Sequence, residues 1–174
     1  MAEFYTLITN IGLAKLANAE ITGNKVLVTQ IAVGDGLNNS YYNPSQEQAS
    51  LKHEVWRGAV TNRFIDSNNS NKAVFETHIP IDVGGWYIRE VGAFDDDGYL
   101  IAISKVAESY KPTNQQGGAD EYLIRVPVLY SNTDSINILV DPAVVMASRQ
   151  WVLEEILRHN SNANSHANLT LYWR

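Results

Sequence analysis

Residues 84–112 read GGWYIREVGAFDDDGYLIAISKVAESYKP, two runs rich in β-branched and aromatic residues on either side of three carboxylates and a glycine. A calcium loop of the EF-hand kind needs oxygen ligands at alternating positions, a glycine at its sixth and a bidentate Glu at its twelfth, between two helices. None of that framework surrounds Asp95, Asp96 and Asp97. Asp followed by Gly between two strand-like runs is the chemistry of a tight hairpin, where one residue must adopt a left-handed conformation. The stretch therefore predicts a hairpin of GWYIREVGAF and YLIAISKVA with Asp95–Gly98 at its tip. The carboxylates could hold a divalent cation weakly at the surface without defining a function.

Outward from the hairpin the same texture continues. VWRGAVTNRFI (55–65), KAVFETHIPI (72–81), EYLIRVPVLY (121–130) and SINILV (135–140) are further strand candidates, separated by Asn, Asp, Gly, Ser and Pro clusters. KVLVTQIAV (25–33) reads as a strand running into the turn Gly34–Gly36. Before it, after a short extended start, Thr9 or Asn10 can cap a helix. Its apolar positions are Ile11, Leu13, Ala14, Leu16 and Ala17, and Gly23 stops it. Past the break at Pro142, residues 147–159 carry a second helix, and residues 160–174 read as a polar linker and tail. The expected fold class is α+β: an antiparallel sheet or sandwich of six to seven strands with an N-terminal amphipathic helix and a C-terminal helix able to trimerise.

Composition narrows the function. At 174 residues the chain is the size of one domain, and 45% hydrophobic with 18% charged residues suits a folded core. No apolar run is long enough to span a membrane. The net charge is −6 and the 13 Lys and Arg are scattered, so the footprint of a nucleic-acid binder is missing. The start has no signal-peptide pattern, and the chain is expected to work without export. There is no cysteine. His53, His78, His159 and His166 show no metal-ligand spacing, Gly34–Gly36 lacks a phosphate-loop pattern, and no GxSxG elbow occurs. Glu54, Glu76, Glu90 and Glu108 lie among strand residues whose alternation places them on outer faces. Arg89 and Glu90, neighbours in one strand, are expected to face opposite ways, one of them buried and paired. Trp56, Trp86 and Trp151 fall within predicted elements and read as core. No catalytic constellation, cofactor site or metal site emerges. In the last helix Val145, Val152 and Ile156 share an apolar stripe that either docks on the chain's own domain or packs three copies around an axis.

Five blocks in order, LITNIGLAKLANA (7–19), IAVGDG (31–36), LKHEVWR (51–57), IPIDVGGWYIREVGAFDDDGYLIAISKVAESYKP (79–112) and VMASRQWVLEEI (145–156), closely resemble the N-terminal domain of tail fibre proteins of contractile-tailed bacteriophages and R-type bacteriocins. The resemblance runs from Phe4 to His159. It implies a non-enzymatic structural virion component that anchors the fibre to a baseplate protein and contributes to host attachment. It also implies assembly in the bacterial cytoplasm and a homotrimer built on the last helix. Residues 1–146 would be the attachment domain and 147–159 the lead into the shaft. Family shafts continue well beyond this helix, so the chain reads as the anchoring part of a fibre, or as a short fibre or adaptor to which a distal fibre protein attaches. Under this resemblance the polar loops Leu37–Ser50 and Ser109–Asp120 are the candidate contacts, with Tyr41, Tyr42, Tyr110 and Lys111 as partner-binding residues. Tyr110, Lys111 and Pro112 have a second reading, closing the domain against itself. A glycan-binding or glycan-degrading tail module is the alternative function.

Overall fold

The computed structural model describes residues 4–113 and 121–130. The expected strand at 135–140, the helix at 147–159 with Val145, Val152 and Ile156, the polar tail and most of the 109–120 loop lie outside the described residues. Within them, one helix and eight strands follow in the order β1 (Tyr5–Ile8), α1 (Asn10–Thr22), β2 (Val28–Gly34), β3 (Glu54–Ala59), β4 (Asn62–Asp66), β5 (Asn69–Ile79), β6 (Trp86–Asp95), β7 (Leu100–Lys111) and β8 (Tyr122–Leu129). They form a five-stranded sheet, β1-β7-β6-β2-β3, and a three-stranded sheet, β4-β5-β8. Every pairing is antiparallel.

The β6–β7 hairpin forms as its turn chemistry predicts. Gly98 takes φ 84°, and Asp95 closes the tip through its own backbone and through its side chain, which accepts from the Tyr99 N–H at 2.7 Å. Two strand expectations are corrected. The extended start is itself a strand, β1, paired with β7 from Tyr5↔Lys105 to Ile8↔Ala102. The run 55–65 is two strands in different sheets, β3 beside β2 and β4 beside β5. At Val60–Thr61 the chain crosses between sheets, donating from Val60 N to Thr29 O and from Thr61 N to Glu76 O. Those bonds satisfy the backbone through the crossing, so neither glycine nor proline is needed to mark it.

Helix α1 begins at Thr9, whose hydroxyl accepts from Gly12 N at 3.0 Å, and ends at Gly23 with φ 72°. Its buried residues are Gly12, Leu16 and Ala19; of the expected stripe Leu16 is buried and Ile11 partly so. Leu13, Ala14 and Ala17 are exposed. The cause is proximity: a Cβ at Gly12 would lie 2.2 Å from Ile101 O of β7, so the helix rests on its smallest residue.

The main core lies between the sheets, where Ile31, Val33, Ile88, Val91 and Ile101 meet Phe75, Ile79, Ile124 and Val126. Each such burial stabilises by about 1.5–3 kcal/mol. On the other face of the large sheet a smaller cluster gathers Ala32, Phe94, Leu100 and Ile103 under Leu51, which comes from the segment joining β2 to β3. That segment covers the outer face, and so β6 is buried without interruption from Ile88 to Asp95.

Candidate partner-binding face

The covering segment, residues 35–53, is polar and has little core of its own. Two neighbouring residues of β6 hold it in place. Arg89 donates from Nη1 to Asp35 O at 2.9 Å and to Asn39 Oδ1 at 2.6 Å. The Glu90 carboxylate accepts from Lys52 N at 3.0 Å, from His53 N at 3.1 Å and from the Tyr42 hydroxyl at 2.5 Å. Opposite charges thus grip opposite ends of one loop. Asn38 and Asn39 turn it through φ 51° and 57°, left-handed values that asparagine tolerates. Pro44 O accepts from the Tyr5 hydroxyl and Gln46 Nε2 donates to Ile8 O, tying the loop's middle to β1.

Both Arg89 and Glu90 are buried, which corrects the expectation of one inside and one outside. The pairing of β6 with β7 slips between Ile88 and Glu90, and such a bulge breaks the strict alternation of faces. Glu76 is buried as well, accepting from Arg125 Nε at 2.5 Å and Asn62 Nδ2 at 2.9 Å, so Glu76 and Glu90 lie away from the main core as alternation places them, yet both are covered and paired.

Of the sequence-predicted contact residues, the structure brings Tyr41 and Tyr110 onto one exposed strip and turns Tyr42 and Lys111 inward. The Tyr41 hydroxyl accepts from Glu108 N, its ring stands 6.3 Å from that of Phe4, and Lys105 Nζ lies 5.3 Å from its centroid. Glu108 pairs with Arg89 Nε at 2.6 Å, Arg89 covers the Tyr87 ring, and Tyr87 packs on Tyr110 at 5.0 Å. Phe4, Tyr41, Tyr87 and Tyr110 are each about two-fifths exposed: 42%, 43%, 39% and 40%. Tyr42 is half-buried, and that burial together with its bond to Glu90 holds its phenol well above the ordinary tyrosine range. Lys111 is fully buried and its Nζ donates to Pro112 O at 3.1 Å, so it serves the domain's own closure. Phe4, Tyr87, Arg89 and Lys105 join the strip without having been singled out as contacts. An arginine and a glutamate inside a strand otherwise destined for burial were the available signal.

Among the described residues, Asp95, Asp96 and Asp97 are the one acidic group close enough to share an ion. Lys15 of α1 already occupies that role: its Nζ lies 2.5 Å from Asp95 and 2.6 Å from Asp97, and 4.4 Å from the Tyr99 centroid. Burial opposes the ammonium, but the two carboxylates outweigh it and raise its pKa. The tip is clasped to the helix by a built-in cation. His53 pairs with Asp35 at 2.6 Å and His78 meets the Thr61 hydroxyl at 3.3 Å, each apart from the other.

A sandwich whose elaborated feature is a pinned loop beside an aromatic strip has the chemistry of recognition: rings, a guanidinium–carboxylate pair and fixed backbone. By architecture the described residues form a two-sheet antiparallel β-sandwich module. The chain is a member of the phage tail-collar fibre protein N-terminal family, whose pattern matches residues 1–150. It is similar to the probable tail fiber protein of Escherichia phage P2, 40% identical over 170 residues, which make up 97% of this chain and 25% of that relative. The chain thus spans a quarter of the relative's length. No solved structure matches it.

Proposed function

We propose that this chain is the attachment end of a tail fibre: a structural virion component that anchors the fibre to the baseplate of a contractile tail and so contributes to host attachment. The observation that carries this is family membership across residues 1–150, the region that holds the pinned loop and the aromatic strip. A prearranged surface suits a static joint, because ordering a loop on binding would subtract from affinity. In this proposal the chain works as a homotrimer, residues 1–146 dock, residues 147–159 lead into the shaft, and Val145, Val152 and Ile156 form the trimer stripe. Tyr41 and Tyr110 remain the contact residues, with Phe4 and Tyr87 beside them.

The test is cosedimentation of the purified chain with tails that lack their own fibres, together with native mass measurement. Stoichiometric capture that weakens on Tyr41→Ala with Tyr110→Ala is expected. Failure of the unaltered chain to bind such tails would sink the attachment role, and a strict monomer at high concentration would sink the self-sufficient trimer. Exposed tyrosines also suit sugar stacking. Binding or turnover of envelope polysaccharide, with no capture by tails, would favour a glycan module instead.

A further inference from the structure

Beside the aromatic strip, at the seam where β1 and β7 of one sheet approach β8 of the other, runs an open groove of about 570 Å³. Clefts of roughly 300–1,000 Å³ accommodate a ligand-sized group, here a few side chains of a chain segment. Phe4, Val106, Pro127 and Leu129 give it apolar walls, and Leu129 is 61% exposed. Lys72, Lys105 and Arg125 also line it, and no Asp or Glu among the described residues does. In a chain of net charge −6 that is a local reversal of sign. Asp66 pairs with Lys72 and Glu76 with Arg125 from outside the lining, and Arg125 stays half-exposed. Lys105 has the neutral Asn43 Oδ1 as its hydrogen-bond partner, at 3.0 Å.

From this we infer that the groove seats an extended segment of the partner protein in which an apolar side chain is flanked by carboxylates. The inference rests on the attachment role and names the partner's chemistry. Apolar walls reward an aliphatic or aromatic side chain, while ammonium and guanidinium groups at the margins orient the acidic flanks and exclude basic ones. A polysaccharide would strand its hydroxyls against Val106, Pro127 and Leu129. Tyr41 joins the groove to the pinned loop, since it touches both Phe4 and Lys105. The segment and the loop contact therefore form one continuous footprint.

The experiment titrates the full chain with short peptides tiling the baseplate proteins of the cognate tail, and measures tail capture of the same variants. Binders should carry an apolar residue among Asp or Glu. Their affinity should fall with salt and drop about tenfold on Lys105→Glu, a change that Lys105→Arg avoids. Leu129→Asp should weaken the same peptides, with the melting temperature of each variant confirming the fold. If tails capture the Lys105→Glu, Leu129→Asp chain as tightly as the original, the groove is not the seat, while the attachment role stands. If tails never capture the original chain, the attachment role itself fails. Selective binding of anionic polysaccharide, or self-association abolished by Leu129→Asp with peptide binding absent, would overturn the groove's assignment as well.

Discussion

Replacing Glu90 by Gln keeps the shape of the side chain and removes the charge that three donors share. One amide oxygen can still accept from Lys52 N and His53 N, the two bonds made at 3.0 and 3.1 Å. The amide nitrogen then faces the Tyr42 hydroxyl, which already accepts from Gln48 Nε2 at 3.0 Å and would have to give up its own acceptor. Hydrogen bonds to a charged group contribute about 1.5–3 kcal/mol each, against about 0.5–1.5 for neutral ones. The expected loss is therefore about 1.5–3 kcal/mol, concentrated in the loop. Native-state hydrogen exchange reads it directly: the Lys52 and His53 amides should exchange about tenfold to a hundredfold faster, while amides of β5 and β8 change little. Glu90→Ala should do more, since all three donors lose their partner. Unchanged exchange at Lys52 and His53 in a folded Glu90→Gln chain would refute the idea that this carboxylate holds the loop.

Three further outcomes are expected. Gly12→Ala, which in an ordinary helix gains about 0.8–1 kcal/mol, should here destabilise in a denaturant melt because the new Cβ would sit 2.2 Å from Ile101 O; a gain would mean α1 is free to lift off β7. Asp96→Asn should leave stability within about 0.5 kcal/mol and create no calcium dependence, since Lys15 bonds Asp95 and Asp97; a calcium-induced rise in melting temperature that this change abolishes would reopen a metal role. The bond from Lys72 lowers the Asp66 pKa below its ordinary value, so the pair stabilises the fold above the unfolded carboxyl's pKa and that support fades as pH falls through the lowered one. A carbon-detected titration in which Asp66 ionises at or above the ordinary range would contradict the pairing.

What could be read in the sequence depended on whether its cause was local. The β6–β7 hairpin was legible because Asp and Gly between two β-rich runs leave little alternative, and Thr9 and Gly23 bracketed α1 for the same reason. The sheet switch at Val60–Thr61 was not, because the apolar texture continues through it and distant carbonyls satisfy the turn. The buried face of α1 was legible at Leu16 but not at Gly12, which carries no hydrophobic signal, yet its lack of a Cβ decides the approach. Alternation sets Glu76 and Glu90 away from the core but assumes that such a face is wet, whereas both are covered. Each has a partner far along the chain, Arg125 for one and residues 42–53 for the other, which no short window displays. Loop composition singled out Tyr41 and Tyr110, which are exposed, whereas the strip joining them runs past a bulge in the β6–β7 pairing that leaves no mark on composition.

The position of Arg89 and Glu90 ties the pinned loop to the core. Both lie on β6, whose inner neighbours Ile88 and Val91 belong to the main core, so moving the loop's anchors means moving a central strand. Gly34 enforces the same coupling from β2, since a Cβ there would meet Glu90 Oε1 at 2.5 Å and His53 O at 2.6 Å. The loop's geometry thus inherits the stability of the sandwich and does not depend on its own sparse contacts.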